Sequence, residues 1–440
     1  MNNNPSFYFV NKNSMRSAFL PILLAGMISL PVLAQEGATS GKEVPDGSSS
    51  FTRTLDPDKP VPPLESLLPE IPVQAAKQVQ KSEQMPGATY LMRAARRGDL
   101  QAVKEEIQNG VDLNEQDPKG RTALAHAAET GQLEAAKMLL DNGAGIDVPE
   151  HSGATPLMQA IVADKLDMAK LLIARGANIN ARLDRSRTTA LMIAVSHGRE
   201  EMVRLLLDKG ANIDAVNTGL VNALMTAIEK KHQGLAALLV ERGAKVDGLS
   251  TTGMSTLDYA AVRNDSKTTK LLLDKGLDVN SHDAEGVSPL MRATAEGAGL
   301  AMKTLLKAGA EANARTKNGA TALVLAAANN ETAAAQLLLE HGAEVNAQTK
   351  KLGATALLFA VGRNNAQLTR VLLDNGADPN LADKQGRTPL MISADRGNAE
   401  IVQMLLAAKA DKAMKNSTGM TARDYAVKKK KTRILELLDQ

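Results

Sequence analysis

The chain has 440 residues, of which 44% are hydrophobic and 23% charged, so most of it can bury a core and any disorder must be local. The formal net charge is +3, and subtracting the charges of Lys12 and Arg16 leaves +1 for residues 35–440, which indicates little about partners. Cysteine is absent, which excludes disulfides, thiolate metal sites and a thiol nucleophile. With nine aromatic residues and no tryptophan, we expect no base-stacking surface for nucleic acid.

The first 34 residues have the order of parts found in a secretory signal peptide. Two basic residues precede an apolar stretch at residues 18–34, and Val32 and Ala34 supply small side chains if cleavage falls before Gln35. The alternative is an uncleaved anchor, although the stretch is shorter than the about 20 residues of a membrane-spanning helix. We therefore predict a signal peptide at residues 1–34, cleaved after Ala34, and a periplasmic location, with secretion as the alternative.

Residues 35–85 are rich in glycine, serine and proline, with six prolines between residues 57 and 72. This composition predicts a flexible leader, within which residues 73–84 have the pattern of one short helix. The remaining residues, 86–440, form the main domain.

Glycine recurs in this domain with a period of 33 or 34 residues. One series closes each unit, and its members are Gly110, Gly143, Gly176, Gly210, Gly243, Gly276, Gly309, Gly342 and Gly376. A second series marks the turn before a first helix, and its members are Gly87, Gly120, Gly153, Gly253, Gly286, Gly319, Gly353, Gly386 and Gly419. Such a period indicates a repeat architecture rather than several globular domains.

Each period predicts two helices. A hydroxyl residue followed by proline, as in Thr155 and Pro156, is typical of a helix start, because the cap accepts a backbone N–H and proline has none to leave unpaired. Small residues such as Ala127 and Ala128 follow and permit close helix packing. An amphipathic helix with a leucine pair then ends at the closing glycine, which favours the left-handed C-cap conformation.

These residues resemble the ankyrin repeat, with its 33-residue period and T-P-L-H-x-A signature. The resemblance covers residues 87–440 in about eleven units, of which the first and last are irregular. It implies an all-α solenoid of helix-turn-helix units with hairpin-like finger loops, in which fingers and first helices form a concave face. It also implies a protein partner. Because no single unit can bury its own apolar face, stability must come from contacts between neighbours.

The position after Pro-Leu, where the family has histidine, holds methionine in six units. They are Met92, Met158, Met192, Met225, Met291 and Met391. A row of thioethers could bind copper(I) or form an adaptable recognition surface. A repeated apolar position in a solenoid more commonly packs in the interior, which is the interpretation we favour.

Two fingers have one extra residue and are basic. Arg185 and Arg187, next to Arg182, lie in the first, and Lys350 and Lys351 lie in the second. Longer basic fingers could contact an acidic partner, whereas drift in loop length, which costs little free energy, is the neutral explanation.

The family's usual contact positions, at the ends of first helices and in the fingers, also hold basic residues. They are Arg96, Arg97, Arg121, His197, Lys230, Arg263, Arg363, Arg387 and Arg396. With few aromatics available, arginine is the expected hot-spot residue. Acidic residues share these positions, so the alternative is an ordinary solvated face.

No catalytic motif stands out. The six histidines form no close pair, and there is no P-loop, G-x-S-x-G or G-x-G-x-x-G sequence. The lysine run at 428–431 is more typical of a solvated face than of membrane or nucleic-acid binding. We therefore expect no enzyme activity, cofactor, nucleic-acid partner or stable membrane insertion, and a monomer.

Three functions remain open from the sequence. A periplasmic module could hold, inhibit or protect an envelope protein, and an immunity-type inhibitor of a toxin or envelope enzyme is a special case. A secreted effector could instead bind a host or competitor protein. The fold alone does not decide between them.

Overall fold

A computed structural model describes residues 89–440, which form 22 α-helices in eleven consecutive pairs. The predicted signal peptide, leader and short helix lie outside the described residues. Among those described, β pairing is limited to two isolated bridges, Arg182 with Thr189 and Leu249 with Ser255. The predicted all-α repeat architecture is confirmed.

First helices carry odd numbers here and second helices even numbers. In chain order the helices are α1 Tyr90–Arg97, α2 Leu100–Gln108, α3 Ala123–Thr130, α4 Leu133–Asp141, α5 Pro156–Val162, α6 Leu166–Ala174, α7 Ala190–Ser196, α8 Glu200–Asp208, α9 Ala223–Glu229, α10 Gln233–Glu241, α11 Thr256–Val262, α12 Ser266–Asp274, α13 Pro289–Ala295, α14 Gly299–Lys307, α15 Ala322–Ala328, α16 Thr332–Glu340, α17 Ala356–Gly362, α18 Ala366–Asp374, α19 Pro389–Arg396, α20 Ala399–Ala407, α21 Ala422–Lys428 and α22 Thr432–Asp439. First helices contact first helices of neighbouring units and second helices contact second helices, which gives two layers.

Every first helix begins at a polar N-cap. The cap side chain accepts the N–H of the third helical residue in all eleven units, as Thr122 does from Ala125 at 3.2 Å. Proline follows the cap in α5, α13 and α19, as predicted. After the second helix, the closing glycine has the left-handed conformation, with φ of 90° at Gly143.

The core lies between the two helices of each pair and between neighbouring pairs. The six methionines of the first-helix row are 0–2% exposed, so the prediction that they pack in the interior is confirmed. One leucine of each predicted pair is fully buried, for example Leu139 and Leu272 at 0%. Truncating such a side chain to alanine costs about 2–5 kcal/mol in protein cores.

Ten fingers, numbered in chain order, connect each second helix to the next first helix. Neighbouring fingers are joined in two ways. A backbone N–H near one fingertip donates to a carbonyl of the preceding finger, as His151 N does to Lys119 O at 3.0 Å. Nearer the finger base, a side-chain oxygen accepts a backbone N–H of the next finger, as Asn114 Oδ1 does from Gly145 at 2.7 Å. Each contact is present at eight of the nine finger junctions.

Both contacts are absent at the same junction, between finger 5 (residues 244–255) and finger 6 (residues 277–288). By the pattern of the other fingers, the Ala284 N–H should donate to Thr252 O, and the Asp278 N–H to Asp247. Neither bond is formed within the described chain. This junction therefore has the weakest connection between neighbouring fingers.

Two sequence changes accompany this interruption. Gly248 stands where the other nine fingers have a residue with a side chain, and Leu277 stands where eight of the other nine begin with alanine. The two fingers also lie further apart. A Cβ built on Gly253 would be 3.9 Å from Asp283 Cβ, whereas one built on Gly153 would be 2.6 Å from the Asp184 nitrogen.

Hydrogen exchange tests the weakened junction. We expect the Ala284 amide to exchange about tenfold faster than the Lys317 amide after correction for intrinsic rates, because Lys317 N donates to Glu285 O at 2.9 Å and Ala284 has no such bond. Equal protection of the two amides would contradict the interruption. The Thr251 amide, which donates to Gly219 O at 2.9 Å, is a second reference.

Candidate functional site

The thirteen predicted partner-binding residues fall into two structural sets. Four lie on the two longer fingers, Arg185 and Arg187 on finger 3 and Lys350 and Lys351 on finger 8. The other nine lie at the ends of first helices or at the ends of fingers that lead into them. The two sets differ in how far their charges are already neutralised.

Arg121 illustrates the second set. Its guanidinium lies 3.1 Å from Asp117 Oδ2 and 3.4 Å from Glu129 Oε2, and its side chain is 16% exposed. Two acids thus hold it against the repeat. An arginine fixed in this way contributes mainly to the order of finger 1 rather than to an open binding surface.

Similar intramolecular contacts engage other members. The ion pairs are Arg96–Glu129 at 3.8 Å, Arg263–Glu229 at 3.8 Å and Arg387–Asp383 at 2.7 Å. The His197 ring nitrogen lies 2.9 Å from the Ile193 carbonyl oxygen. Each of Arg97, Lys230 and Arg363 also interacts with another group. Arg396, at the end of α19, is exposed and forms no ion pair among the described residues.

The four basic residues on fingers 3 and 8 differ from the paired members of this set in having no ion-pair partners among the described residues. Arg185, Arg187, Lys350 and Lys351 are exposed, and within residues 89–440 none of their side chains forms an ion pair. Arg182 is half-buried, and its guanidinium donates to Val216 O of finger 4 at 3.4 Å. Fingers 3 and 8 are five units apart, roughly 50 Å at 8–10 Å per helix layer. They are therefore two separate basic positions.

A backbone feature that sequence reasoning missed marks fingers 3 and 4. Eight fingertips have glycine in the left-handed conformation, but Arg187 and Leu220 hold that place in fingers 3 and 4, with φ of 56° and 57°. Because Cβ crowds the backbone there, a bulky residue is strained. The signal was present in the sequence, since the second glycine series skips these two fingers. Gly219 lies one residue before the left-handed position of finger 4 and does not itself have a positive φ.

Exposed apolar side chains were also missed. Leu220 in finger 4 is 46% exposed and Leu249 in finger 5 is 59% exposed. The other large hydrophobic residues exposed in the described chain lie on helices, so within residues 89–440 Leu220 and Leu249 are the two that lie on fingers. Leu220 places apolar surface on the finger next to the basic finger 3, and Leu249 lies one finger further along.

A buried histidine–aspartate pair, His126 with Asp117, lies between finger 1 and α3. His126 is fully buried, and its Nε2 lies 3.1 Å from Asp117 Oδ2. Burial lowers the pKa of His126, and the Arg121 charge lowers it further, against the opposing effect of Asp117. Burial acts to raise the pKa of Asp117, but the backbone N–H groups of Arg121 and Lys119, together with the charge of Arg121, outweigh it and lower that pKa. The pair ties finger 1 to α3.

A second buried charged group lies beside the interrupted junction. The Arg292 guanidinium is 2.5 Å from Asp283 Oδ2 and 3.3 Å from Asp258 Oδ1, and all three side chains are at most 16% exposed. Burial raises the pKa of Asp258, against the favourable charge of Arg292. Asp258 Oδ1 and Arg292 Nε have no hydrogen-bond partner there. The group connects α11, finger 6 and α13.

Within residues 89–440, no three histidine, aspartate or glutamate side chains are placed together to hold a metal ion. None of the helices at residues 89–440 has the length and hydropathy needed to cross a bilayer.

Stacked helix pairs with projecting fingers define a class of helical-repeat scaffold, and a comparison with family models identifies it. The model for ankyrin repeats in three copies matches residues 91–183, 181–250, 217–283, 257–349, 290–383 and 357–439. The chain belongs to the ankyrin repeat family, whose members are generally protein–protein interaction modules.

The crystal structure of the human ASB11 ankyrin repeat domain is 28% identical in sequence, with a TM-score of 0.45, over 51% of this chain and 99% of that chain. No curated protein matched the chain.

The buried histidine predicts a pH dependence of stability. Since the pKa of His126 in the folded chain is below its ordinary value of 6.5, the unfolded chain binds more protons between the two values. The free energy of unfolding should therefore fall as the pH drops from 6.5 through the folded-state pKa. The substitution His126→Gln should remove this component, because Gln159 fills the same place in α5 and donates to Glu150 at 2.9 Å.

Denaturant unfolding of both proteins from about pH 7.5 to about pH 5 measures the effect. The difference between the wild type and His126→Gln isolates the histidine from other titrating groups. A difference that stays constant with pH would show that His126 has the same pKa in the folded and unfolded chains.

The strained fingertips predict an unusual response to glycine. Leu220→Gly and Arg187→Gly should leave the free energy of unfolding unchanged or raise it by up to about 1 kcal/mol, because relief of left-handed strain offsets the greater entropy of unfolded glycine. Gly253→Ala should lower it by about 1–2 kcal/mol, since the only contact near the added Cβ is at 3.9 Å and the cost is conformational. Thermal and denaturant unfolding compare the three; a loss in Leu220→Gly equal to that in Gly253→Ala would contradict the strain.

Proposed function

We propose that this chain is an exported, non-catalytic protein-binding module that holds, inhibits or protects a protein of the bacterial periplasm. Membership of a family of interaction modules supports binding to a protein. The basic, apolar and small-residue order of the first 34 residues supports export.

The observation that carries the binding proposal is the contrast between the two sets of basic residues. Nine of these residues lie at the ends of first helices or of the fingers that lead into them. Five of the nine contact a carboxylate or a carbonyl oxygen of the repeats, and three more also interact with another group. Those on fingers 3 and 8 project from the scaffold without such partners. Exposed charges on rigid elements attract a partner of opposite charge and orient it, which points to an acidic protein surface.

The buried titratable groups support a structural rather than a catalytic role. His126 and Asp117 bond to each other at 3.1 Å, and His126 has no exposed surface. Asp258, Asp283 and Arg292 likewise hold neighbouring elements together. A general acid or base needs access to the proton that it transfers, which these buried groups lack.

In-cell crosslinking of the tagged full chain tests the proposal. The periplasm and the culture medium are analysed separately, and captured proteins are identified by mass spectrometry. We expect one envelope protein from the periplasm, with capture reduced about tenfold or more when Arg185, Arg187, Lys350 and Lys351 are changed to glutamate.

The matched control reverses four exposed lysines of the second helices, Lys104, Lys267, Lys270 and Lys303, to glutamate. It changes the net charge by the same amount and should retain capture. Loss of capture in both variants would show a general charge effect rather than a finger contact. Accumulation of the chain in the medium, with no partner in the periplasm, would overturn the periplasmic role and favour a secreted effector.

A further inference from the structure

Fingers 3, 4 and 5 form a continuous row at the centre of the chain. Thr218 N of finger 4 donates to Ser186 O of finger 3 at 2.9 Å, and Thr251 N of finger 5 donates to Gly219 O of finger 4 at 2.9 Å. The guanidinium of Arg182 adds a side-chain contact between fingers 3 and 4. The row ends at finger 5, because both kinds of contact are missing between finger 5 and finger 6. These three fingers therefore hold their tips in a fixed order.

Charge is distributed unevenly along this row. Residues 215–228 and 248–257 contain no charged side chain, so the tips of fingers 4 and 5 are neutral. Finger 3 carries Arg185 and Arg187 together with Asp184, all exposed, and so has a net positive tip. Beyond the gap, finger 6 carries Asp283 and Glu285. Asp283 is paired with Arg292, and Glu285 lies 3.6 Å from Lys317 Nζ, so an approaching segment meets unpaired cations at one edge of a neutral surface and already paired acids beyond the other.

Apolar surface fills the neutral part. Leu220 and Leu249 are 46% and 59% exposed on adjacent fingers. Isolated leucines on a protein surface are common, so their exposure alone means little. Leu220 lies on the finger next to the two arginines without ion pairs, and Leu249 lies one finger further along, so the row has the composition of an interface hot spot, apolar side chains together with arginine.

Backbone strain supplies an independent observation. Arg187 and Leu220 are the two fingertip residues that replace glycine in the left-handed conformation, and they are on neighbouring fingers. Glycine would fold there at lower conformational cost. Seven non-glycine residues outside the fingertips share this conformation, among them Lys231, Lys409 and Lys430, so the observation lies in its place at two adjacent fingertips, since such strain is often found at binding sites. Here both strained positions display an exposed side chain.

We propose that Arg185, Arg187, Leu220 and Leu249 form one docking surface, the fingertip surface, for a protein segment that presents a large apolar side chain beside one or more carboxylates. The leucines cover the apolar group, and the guanidinium groups bond the carboxylates in a bidentate manner that lysine does not provide. This inference rests on the proposed protein-binding function and names the chemistry of the segment.

Selection of random displayed peptides on the full chain tests the fingertip surface. We expect enrichment of peptides that combine aspartate or glutamate with a neighbouring leucine, isoleucine, phenylalanine or tryptophan. Their affinity should fall about tenfold or more for the double variant Arg187→Gly with Leu220→Gly. Because these substitutions relieve strain, the midpoint of thermal unfolding should be equal or higher, which separates lost binding from misfolding.

The matched control is Lys104→Ala with Lys270→Ala, exposed lysines of α2 and α12 outside the fingers, and it should retain the affinity of the selected peptides. Peptides that lack the combination of carboxylate and apolar residue, or that bind the fingertip variant with unchanged affinity, would overturn the fingertip surface. Loss of affinity in the control variant alone would overturn it while leaving the protein-binding function in place. Absence of any enriched peptide also overturns it, whereas crosslinking in cells decides the function separately.

Discussion

The close approach of neighbouring first helices is the constraint on which the rest of the structure depends. The fifth residue after the N-cap is alanine in ten first helices and Ser393 in the other, and it is 0% exposed in every unit except the first, where Ala94 is 5% exposed. A larger side chain there would push two layers apart. It would also separate the fingers, whose hydrogen bonds across units require the same spacing.

That spacing also explains why charges on the first-helix side are paired. Side chains one period apart lie directly next to each other in the stack, so Arg263 meets Glu229, 34 residues earlier, and Arg96 meets Glu129, 33 residues later. The fingertips are less constrained, because they project beyond the layers. Among the described residues, exposed basic residues without ion pairs are found on fingers 3 and 8, and also include Lys119 on finger 1, Lys384 on finger 9 and Arg396 at the end of α19. The pairs Arg263–Glu229 and Arg96–Glu129 follow from the geometry of stacking.

The sequence predicted the helices and core well because these depend on contacts that repeat. N-caps such as Thr155 and buried methionines such as Met158 occur at fixed positions of the period, and the structure places them as predicted. The thirteen site residues were predicted one by one, without asking which acid lies one period away. Applying the period to Arg121 would not have sufficed, since its partner Asp117 lies within the same finger. Their role in binding stays a prediction.

The interrupted finger junction shows what a repeat pattern conceals. Gly248 and Leu277 look like ordinary drift in the sequence, and the loss of two hydrogen bonds becomes visible only when all nine junctions are compared. At this same place Arg292 joins Asp258 and Asp283 across α11, finger 6 and α13. Buried ion pairs are costly to form and costlier to break. This ion-pair group therefore connects two neighbouring units that lack hydrogen bonds between their fingers. The solenoid thus continues past finger 5, although the row of bonded fingertips ends there.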